Sequence, residues 1–153
     1  MTSSSEPPLL TVEGRKGLEE RARRLEEETI PTVLAAIEEA EDELSLQLEY
    51  DLASRELEQL RYVLDTARSI HEVPEEPGIA QIGDWVTLQT GDDESVTHLI
   101  VHPAEAVLDV SRISADSPLA RAVLGLKVGD EAVVQAPSGP YTAKVVEVKR
   151  DDS

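Results

Sequence analysis

From residue 12 to residue 71 the chain carries only two glycines, Gly14 and Gly17, and one proline, Pro31. Over that span apolar or small residues return at intervals of three and four. In the first stretch they are Leu18, Ala22, Leu25, Thr29, Val33, Ile37, Ala40 and Leu44; in the second, Leu46, Tyr50, Ala53, Leu57, Leu60, Leu64 and Ala67. That period is the seam of a coiled coil. Thr11 is placed to cap the first helix and Ser45 the second. Pro31 removes a backbone donor, so the first helix is expected to bend there or to loosen the turn before it.

If the two stretches fold back on each other, the residue numbers of facing seam positions should add to a constant. Ala40 with Leu46, Ile37 with Tyr50, Val33 with Ala53, Thr29 with Leu57 and Leu25 with Leu60 all add to 85–87. The expected fold is therefore an antiparallel helical hairpin over residues 9–73 with its tip near 41–45, centred on Glu43. Each arm would reach roughly 35–40 Å at 1.5 Å per residue. One straight helix pairing between chains is permitted by the same heptads, but the mirror symmetry about Glu43 would then be accidental. Leu48 and Leu52 fall off the seam and are expected to form an exposed apolar strip near the tip.

Charge is distributed unevenly over this hairpin. Between Leu25 and Ser54 stand ten acidic residues and no Lys, Arg or His. The densest run, Glu38-Glu39-Ala40-Glu41-Asp42-Glu43, coincides with the apex. Like charges at helical spacing cost roughly 0.2–0.5 kcal/mol per pair, so the crowding does not serve stability. It is either a solvated face or a negative probe presented to something positive.

After Glu72-Val73-Pro74-Glu75-Glu76-Pro77-Gly78, a linker expected at 74–79, the period changes to two. Residues 85–90 and 96–101 read as a strand hairpin around Gly91-Asp92-Asp93. Residues 131–135 and 141–148 read as a second one around Pro137-Ser138-Gly139-Pro140. Between them Ser117, Pro118 and Gly125 punctuate a short helix. The expected fold class is α+β: the helical hairpin, then a small antiparallel sheet with one helix over residues 80–150. Residues 1–8 are expected to be disordered.

Composition excludes several functions. A formal net charge of −18 argues against direct nucleic-acid binding and against an anionic membrane. With no cysteine there is no disulfide, thiolate metal site or cysteine nucleophile. His71, His98 and His102 have no ligand-like spacing, and Ser114 and Ser117 lack a nucleophile-activating motif. The start, Met1 to Pro8, is no secretion signal, and no apolar run is long enough for a membrane span, so a cytoplasmic protein is expected.

The acidic-tipped helical hairpin followed by Ser114-Ala115-Asp116-Ser117-Pro118-Leu119-Ala120-Arg121-Ala122-Val123-Leu124-Gly125, by Val128-Gly129-Asp130 and by a Pro-x-Gly hairpin resembles the bacterial Gre transcript-cleavage factor family. Leu10-Thr11-Val12-Glu13-Gly14, Ala36-Ile37-Glu38-Glu39-Ala40 and Glu49-Tyr50 match its pattern too, so the resemblance runs from about Leu9 to Val148. It implies that the C-terminal domain is FKBP-like and docks on the rim of the RNA polymerase secondary channel, gripping it near Asp116, Ser117, Pro118 and Leu119. It implies further that Glu39, Glu41, Asp42 and Glu43 act in the polymerase active centre, with Asp42 and Glu43 beside its magnesium. No intrinsic cofactor and no enzymatic activity of its own are implied, nor any sequence-specific DNA contact, and the chain would act as a monomer.

One departure from the family matters. Its tip carries an Asp-Leu-x-Glu-Asn-Ala-Glu-Tyr type sequence, where this chain reads Glu43-Leu44-Ser45-Leu46-Gln47-Leu48-Glu49-Tyr50. The first acid is kept as Glu43, the second is Leu46, and about two residues are missing before the tip. Some divergent family members inhibit transcription, and this tip resembles theirs. The expectation is a regulator that inhibits or modulates RNA synthesis through the secondary channel; the alternative is a factor stimulating cleavage of backtracked RNA. A prolyl isomerase would need an aromatic-lined pocket, for which the C-terminal domain offers Trp85 and Tyr141 but no Phe. A coiled-coil adaptor without polymerase contact is the remaining class.

Overall fold

The heptad period of the N-terminal half is realised as helix. The computed structural model describes residues 6–40, 43–91 and 93–152. They form two compact units, one of residues 15–66, the other of the chain up to Gly14 together with Ala67 onward. The segment expected to be hairpin, 9–73, thus gives up both of its ends to the unit that holds the sheet.

In the helical unit, α1 (Val12–Arg24) runs into a single wide π turn (Leu25–Thr29) and then α2 (Ile30–Glu39). The Ile30 N–H reaches five residues back to the Leu25 carbonyl. This is the loosening expected before Pro31, which cannot donate to the preceding turn. The wide turn absorbs one extra residue. Leu18 and Leu25 are buried seven apart, but the next buried position is Val33, eight further on. Thr29, expected in the seam, is exposed for that reason.

Both α2 and the wide turn pack on α3 (Glu43–Thr66), which buries Ala53, Leu57 and Leu60. Each buried leucine contributes about 1.5–3 kcal/mol. At 24 residues α3 is about 36 Å long. It begins at Glu43, so Ser45 lies inside its first turn and does not precede the helix as a cap. Leu44, another expected seam residue, is 81% exposed. Arg21 pairs with Glu56, Arg61 with Glu26, and Arg23 with Glu20 at 2.6 Å. These pairs are solvent-exposed and worth about 0–1 kcal/mol each.

The second unit starts with β1 (Leu9–Leu10), which pairs in parallel with β2 (Arg68–Ser69). The Pro8 carbonyl accepts from Arg68 N–H at 2.9 Å, so residue 8 is held; residues 1–5 lie outside the described chain. A 3-10 turn at Ile70–Glu72 follows, closed by a capping box between Ser69 and Glu72. Next come β3 (Asp84–Gln89), β4 (Ser95–Val101), β5 (Arg112–Ser114), α4 (Pro118–Val123), β6 (Glu131–Ala136) and β7 (Gly139–Arg150).

These last five strands form one sheet in the order β5-β4-β3-β7-β6. The sheet is mixed, which corrects the expectation of a wholly antiparallel one: β5 runs parallel to β4, with Leu99 opposite Arg112 and Val101 opposite Ser114. The chain returns through residues 102–111 and lays β5 down in the direction of β4. The β6–β7 turn is tighter than expected, two residues long, with Ala136 opposite Gly139. Pro137 and Ser138 occupy the turn, and Gly139 directly after it takes a positive φ of 122°, which only a glycine adopts freely. The core beneath the sheet comprises Val86, Leu88, Ile100, Val134, Ala143 and Val145 against Ala120 and Val123 of α4.

Two buried carboxylates organise this unit. Asp84 accepts from Arg150 Nε at 3.0 Å and from the Gln81 N–H at 3.0 Å, while the same guanidinium reaches the Ile70 carbonyl and Gln81 Oε1. Glu105, in the β4–β5 connection, is fully buried. It accepts from the Thr11 N–H at 3.1 Å, the Thr11 hydroxyl at 2.5 Å and Arg112 Nε at 3.2 Å. The Thr11 hydroxyl in turn accepts from the Gly14 N–H at 2.9 Å, which is the helix cap expected of it. A Cβ on Gly14 would lie 2.0 Å from Glu105 Cδ. In an ordinary helix Gly→Ala is favourable by about 0.5–1 kcal/mol. Here Gly14→Ala should instead lower stability, by about 1–3 kcal/mol for overpacking, read as a fall in the thermal midpoint.

His102 stands at the start of the same connection. Its Nδ1 accepts from the Ala104 N–H at 3.0 Å, and burial pushes its pKa below the ordinary value of 6.5, against the opposing pull of Asp116 and Glu105. Above pH 6.5 both folded and unfolded chains hold a neutral imidazole, and its contribution is complete. As the pH falls through 6.5 the unfolded chain takes up a proton that the folded chain resists, and stability is lost. His102→Asn keeps an acceptor two residues before the Ala104 N–H and removes the titration. Melts between pH 7.5 and 5 should therefore show a steeper acid loss in the wild type than in His102→Asn.

Candidate functional site

The acids of the tip are set on two helix ends. Glu38 and Glu39 occupy the last turn of α2, which contains no basic residue, and Ala40 ends the helix in an extended conformation. Glu43 opens α3. Glu41 and Asp42 lie outside the described residues. Glu38, Glu39 and Glu43 are exposed, and no ion pair engages them among the described residues.

The helix macrodipole distinguishes these positions. A negative charge at a helix start, such as Glu43, is favourable by about 0.3–1 kcal/mol, whereas Glu38 and Glu39 oppose the dipole at the end of α2 by a similar amount. Cations in this unit are confined to residues 15–24 and to Arg55 and Arg61. Among the described residues, the last turn of α2 and the first turn of α3 thus carry acids and no cation. Among the described residues no group of three or more His, Asp or Glu side chains converges as a metal site. Exposed carboxylates such as Glu39 and Glu43 are nevertheless the hard oxygen ligands that magnesium takes when a partner supplies the remainder. Leu46, where the family pattern has its second acid, is half-buried in the seam.

The other candidate residues surround the start of α4 in the sheet unit. Ser117 is the N-cap, its hydroxyl accepting from the Ala120 N–H at 3.2 Å, and Pro118 opens the helix. Leu119 packs against the core. Asp116 is exposed and donates its N–H to the Ser114 hydroxyl at 3.1 Å. Ser117 and Leu119 thus build the helix, and Asp116 and Pro118 are what it presents to solvent. Pro118 also borders a groove of about 320 Å³ with Arg121, Ala122, Val133 and Gln135. Sequence reasoning missed Val133, which is 57% exposed. Its signal was the Val133-Val134 pair in a strand, where alternation sends one of two adjacent valines outward.

Missed as well was Glu105 with its partner Arg112. Arg112 bridges Glu105 and Asp109, and Asp109 is held below the usual carboxylate range by the Ser111 hydroxyl at 2.6 Å and then by Arg112. Gly14 in the first turn of α1 was the only mark that a group packs closely there. Among the described residues no helix is long and apolar enough to cross a membrane.

The family model described as Transcription elongation factor, GreA/GreB, C-term, matches residues 75–150. Transcription elongation factor GreA of Halorhodospira halophila is 38% identical over 92% of this chain and 96% of its own. GreA of Geobacillus kaustophilus is 35% identical over 92% and 95%, and GreB of Pseudomonas aeruginosa 34% over 93% and 90%. Identity at this level over nearly the full length of both partners takes in the helical unit as well as the sheet, and the chain belongs to the GreA/GreB family of transcription elongation factors.

Proposed function

We propose that the chain regulates transcription by binding core RNA polymerase at its secondary channel. In this reading α2 and α3 form an antiparallel hairpin whose tip, expected near residues 41–45, enters the channel, and the sheet with α4 is the FKBP-like domain that holds the rim through Asp116 to Leu119. The tip acids Glu39, Glu41, Asp42 and Glu43 approach the polymerase magnesium, with Asp42 and Glu43 nearest. The protein has no cofactor and no catalytic residue of its own; it acts as a monomer on the polymerase active centre, in the cytoplasm, without reading DNA sequence.

The observation that carries this reading is the placement of Glu38 and Glu39 against the dipole of α2, in a last turn with no basic residue, a few positions before Glu43 at the start of α3. Charges that oppose the helix dipole and have no ion pair among the described residues are available to a partner elsewhere. A negative tip suits a channel that leads to bound cations. Magnesium, when bound by the polymerase, offers the Lewis acidity on which phosphoryl chemistry depends. With Leu46 in place of the second acid, the tip supplies fewer ligands, which favours inhibition or modulation over cleavage. The three relatives are named transcription elongation factors, which fits the second reading, a Gre-type elongation factor; that such a factor stimulates cleavage of backtracked RNA is what the family resemblance implies.

Adding the purified chain to stalled, backtracked polymerase complexes separates the two. Suppressed nucleotide addition without RNA shortening is expected, and shortening of the transcript would overturn the inhibitor reading. The triple variant Glu39→Gln, Asp42→Asn and Glu43→Gln should weaken inhibition at least tenfold. Its stability should stay within about 1 kcal/mol, since the dipole terms at the two helix ends oppose each other. Inhibition that survives the triple substitution would mean that the acids are not the working part.

A further inference from the structure

The outer face of α3 is more apolar than a solvated arm requires. At about 100° per residue, Leu44, Leu48, Leu52, Arg55, Gln59 and Tyr62 fall within roughly 80° of one another. The residues buried towards α2, Ala53, Leu57 and Leu60, lie on a different side. Leu48 is 58% exposed, Leu52 55% and Tyr62 65%. The Tyr62 end of the face borders a groove of about 440 Å³ lined by Arg55, Glu58, Gln59, Tyr62 and Val63. Leucines in a row, an arginine and a tyrosine form the apolar centre and hot-spot composition of a protein interface.

The flanks decide the occupant. One edge of the stripe carries Asp51, Glu58 and Asp65, all exposed, and the other carries the exposed Glu49 together with Glu56, which Arg21 pairs. A second copy of α3 laid on this face antiparallel would set each acidic edge against itself, and a parallel copy would set one acidic edge against the other. Both arrangements are repulsive. Three leucines and a tyrosine also fall short of the roughly 1,200–2,000 Å² that a stable protein pair buries. A nucleic-acid strand is excluded by the same flanking charge.

We propose that this face, centred on Leu48, Leu52 and Tyr62, is an arm-gripping surface for an apolar protein wall bordered by Lys and Arg. The wall belongs to the RNA polymerase channel that the arm enters, so the inference rests on the proposed function. The short tip then need not hold the arm in place. Side contact along about 27 Å of α3 supplies affinity, while the acids at the end supply the effect on RNA synthesis.

The test is a titration of labelled full-length chain with core RNA polymerase. Leu48→Gln with Leu52→Gln preserves helix propensity and removes the stripe; it should weaken binding at least tenfold with an unchanged thermal midpoint. Asp51→Lys with Glu58→Lys should weaken it at least threefold at low salt and less at high salt, as screening predicts. Wild-type binding that the leucine variant retains in full would overturn this surface and leave the proposed function standing. A wild-type chain that does not bind core polymerase would overturn both. Concentration-dependent dimerisation abolished by the leucine variant, with polymerase binding intact, would assign the face to a second copy and overturn the polymerase wall.

Discussion

The Glu105 carboxylate has no access to water, yet it lies against the first turn of α1 and is met there by three donors. A charge in that position costs several kcal/mol of lost hydration, and removing one partner of such a group typically costs about 3–5 kcal/mol. The Thr11 hydroxyl is shared. It donates to Glu105 and accepts from the Gly14 N–H, so the helix cap and the buried ion pair are one network. The first turn of α1 cannot slide without leaving a buried charge short of a donor. Pairing of β1 with β2 holds Leu9–Leu10 beside Arg68–Ser69, so the chain leaves and re-enters this unit at adjacent points. A clamp of this kind defines where the helical segment begins and ends, independently of anything along its length.

Much of the helical unit was legible in the sequence because its signals are local. The three-and-four spacing, the scarcity of glycine and the missing N–H of Pro31 each act within a turn or two, and each reappears in the structure. The π turn was legible as a loosening but not as a register shift, because its extra residue is counted only once Leu25 and Val33 are both seen to be buried. Thr29 and Leu44 were assigned to the seam on a period that this turn and the start of α3 at Glu43 interrupt. The cap at Ser117 and the turn at Gly139 were read correctly in kind, since Ser-Pro and Pro-x-Gly chemistry is also local.

The rest is long-range and therefore silent in a single sequence. That β5 runs parallel to β4 depends on how residues 102–111 cross, and the three residues Arg112–Ser114 are too few to show a period. Glu105 lies 94 positions from Thr11, and no spacing rule joins them. Of the candidate site, the residue types at the tip and at the start of α4 were recoverable, but their division of labour was not. Ser117 and Leu119 are spoken for by the cap and the core, which leaves Asp116 and Pro118 as the surface of that segment.

The same division of labour bears on the tip. Leu46 is half-buried in the seam, while Leu48 and Leu52 are exposed on another side of α3. An acid at position 46 would bring charge into a seam that now gains from apolar burial, at about 25 cal/mol per Å². Leucine there stabilises the end of the arm and at the same time withdraws a carboxylate from the place where the family pattern has one. Acids persist at both helix ends, at Glu39 against the dipole of α2 and at Glu43 with that of α3. A tip with a firmer seam and fewer ligands is, in the proposed reading, suited to occupying a cationic site and poorly suited to completing the coordination that cleavage requires. In the proposed reading, the substitution at Leu46 is thus a change in how the arm is held together as well as in what it can bind.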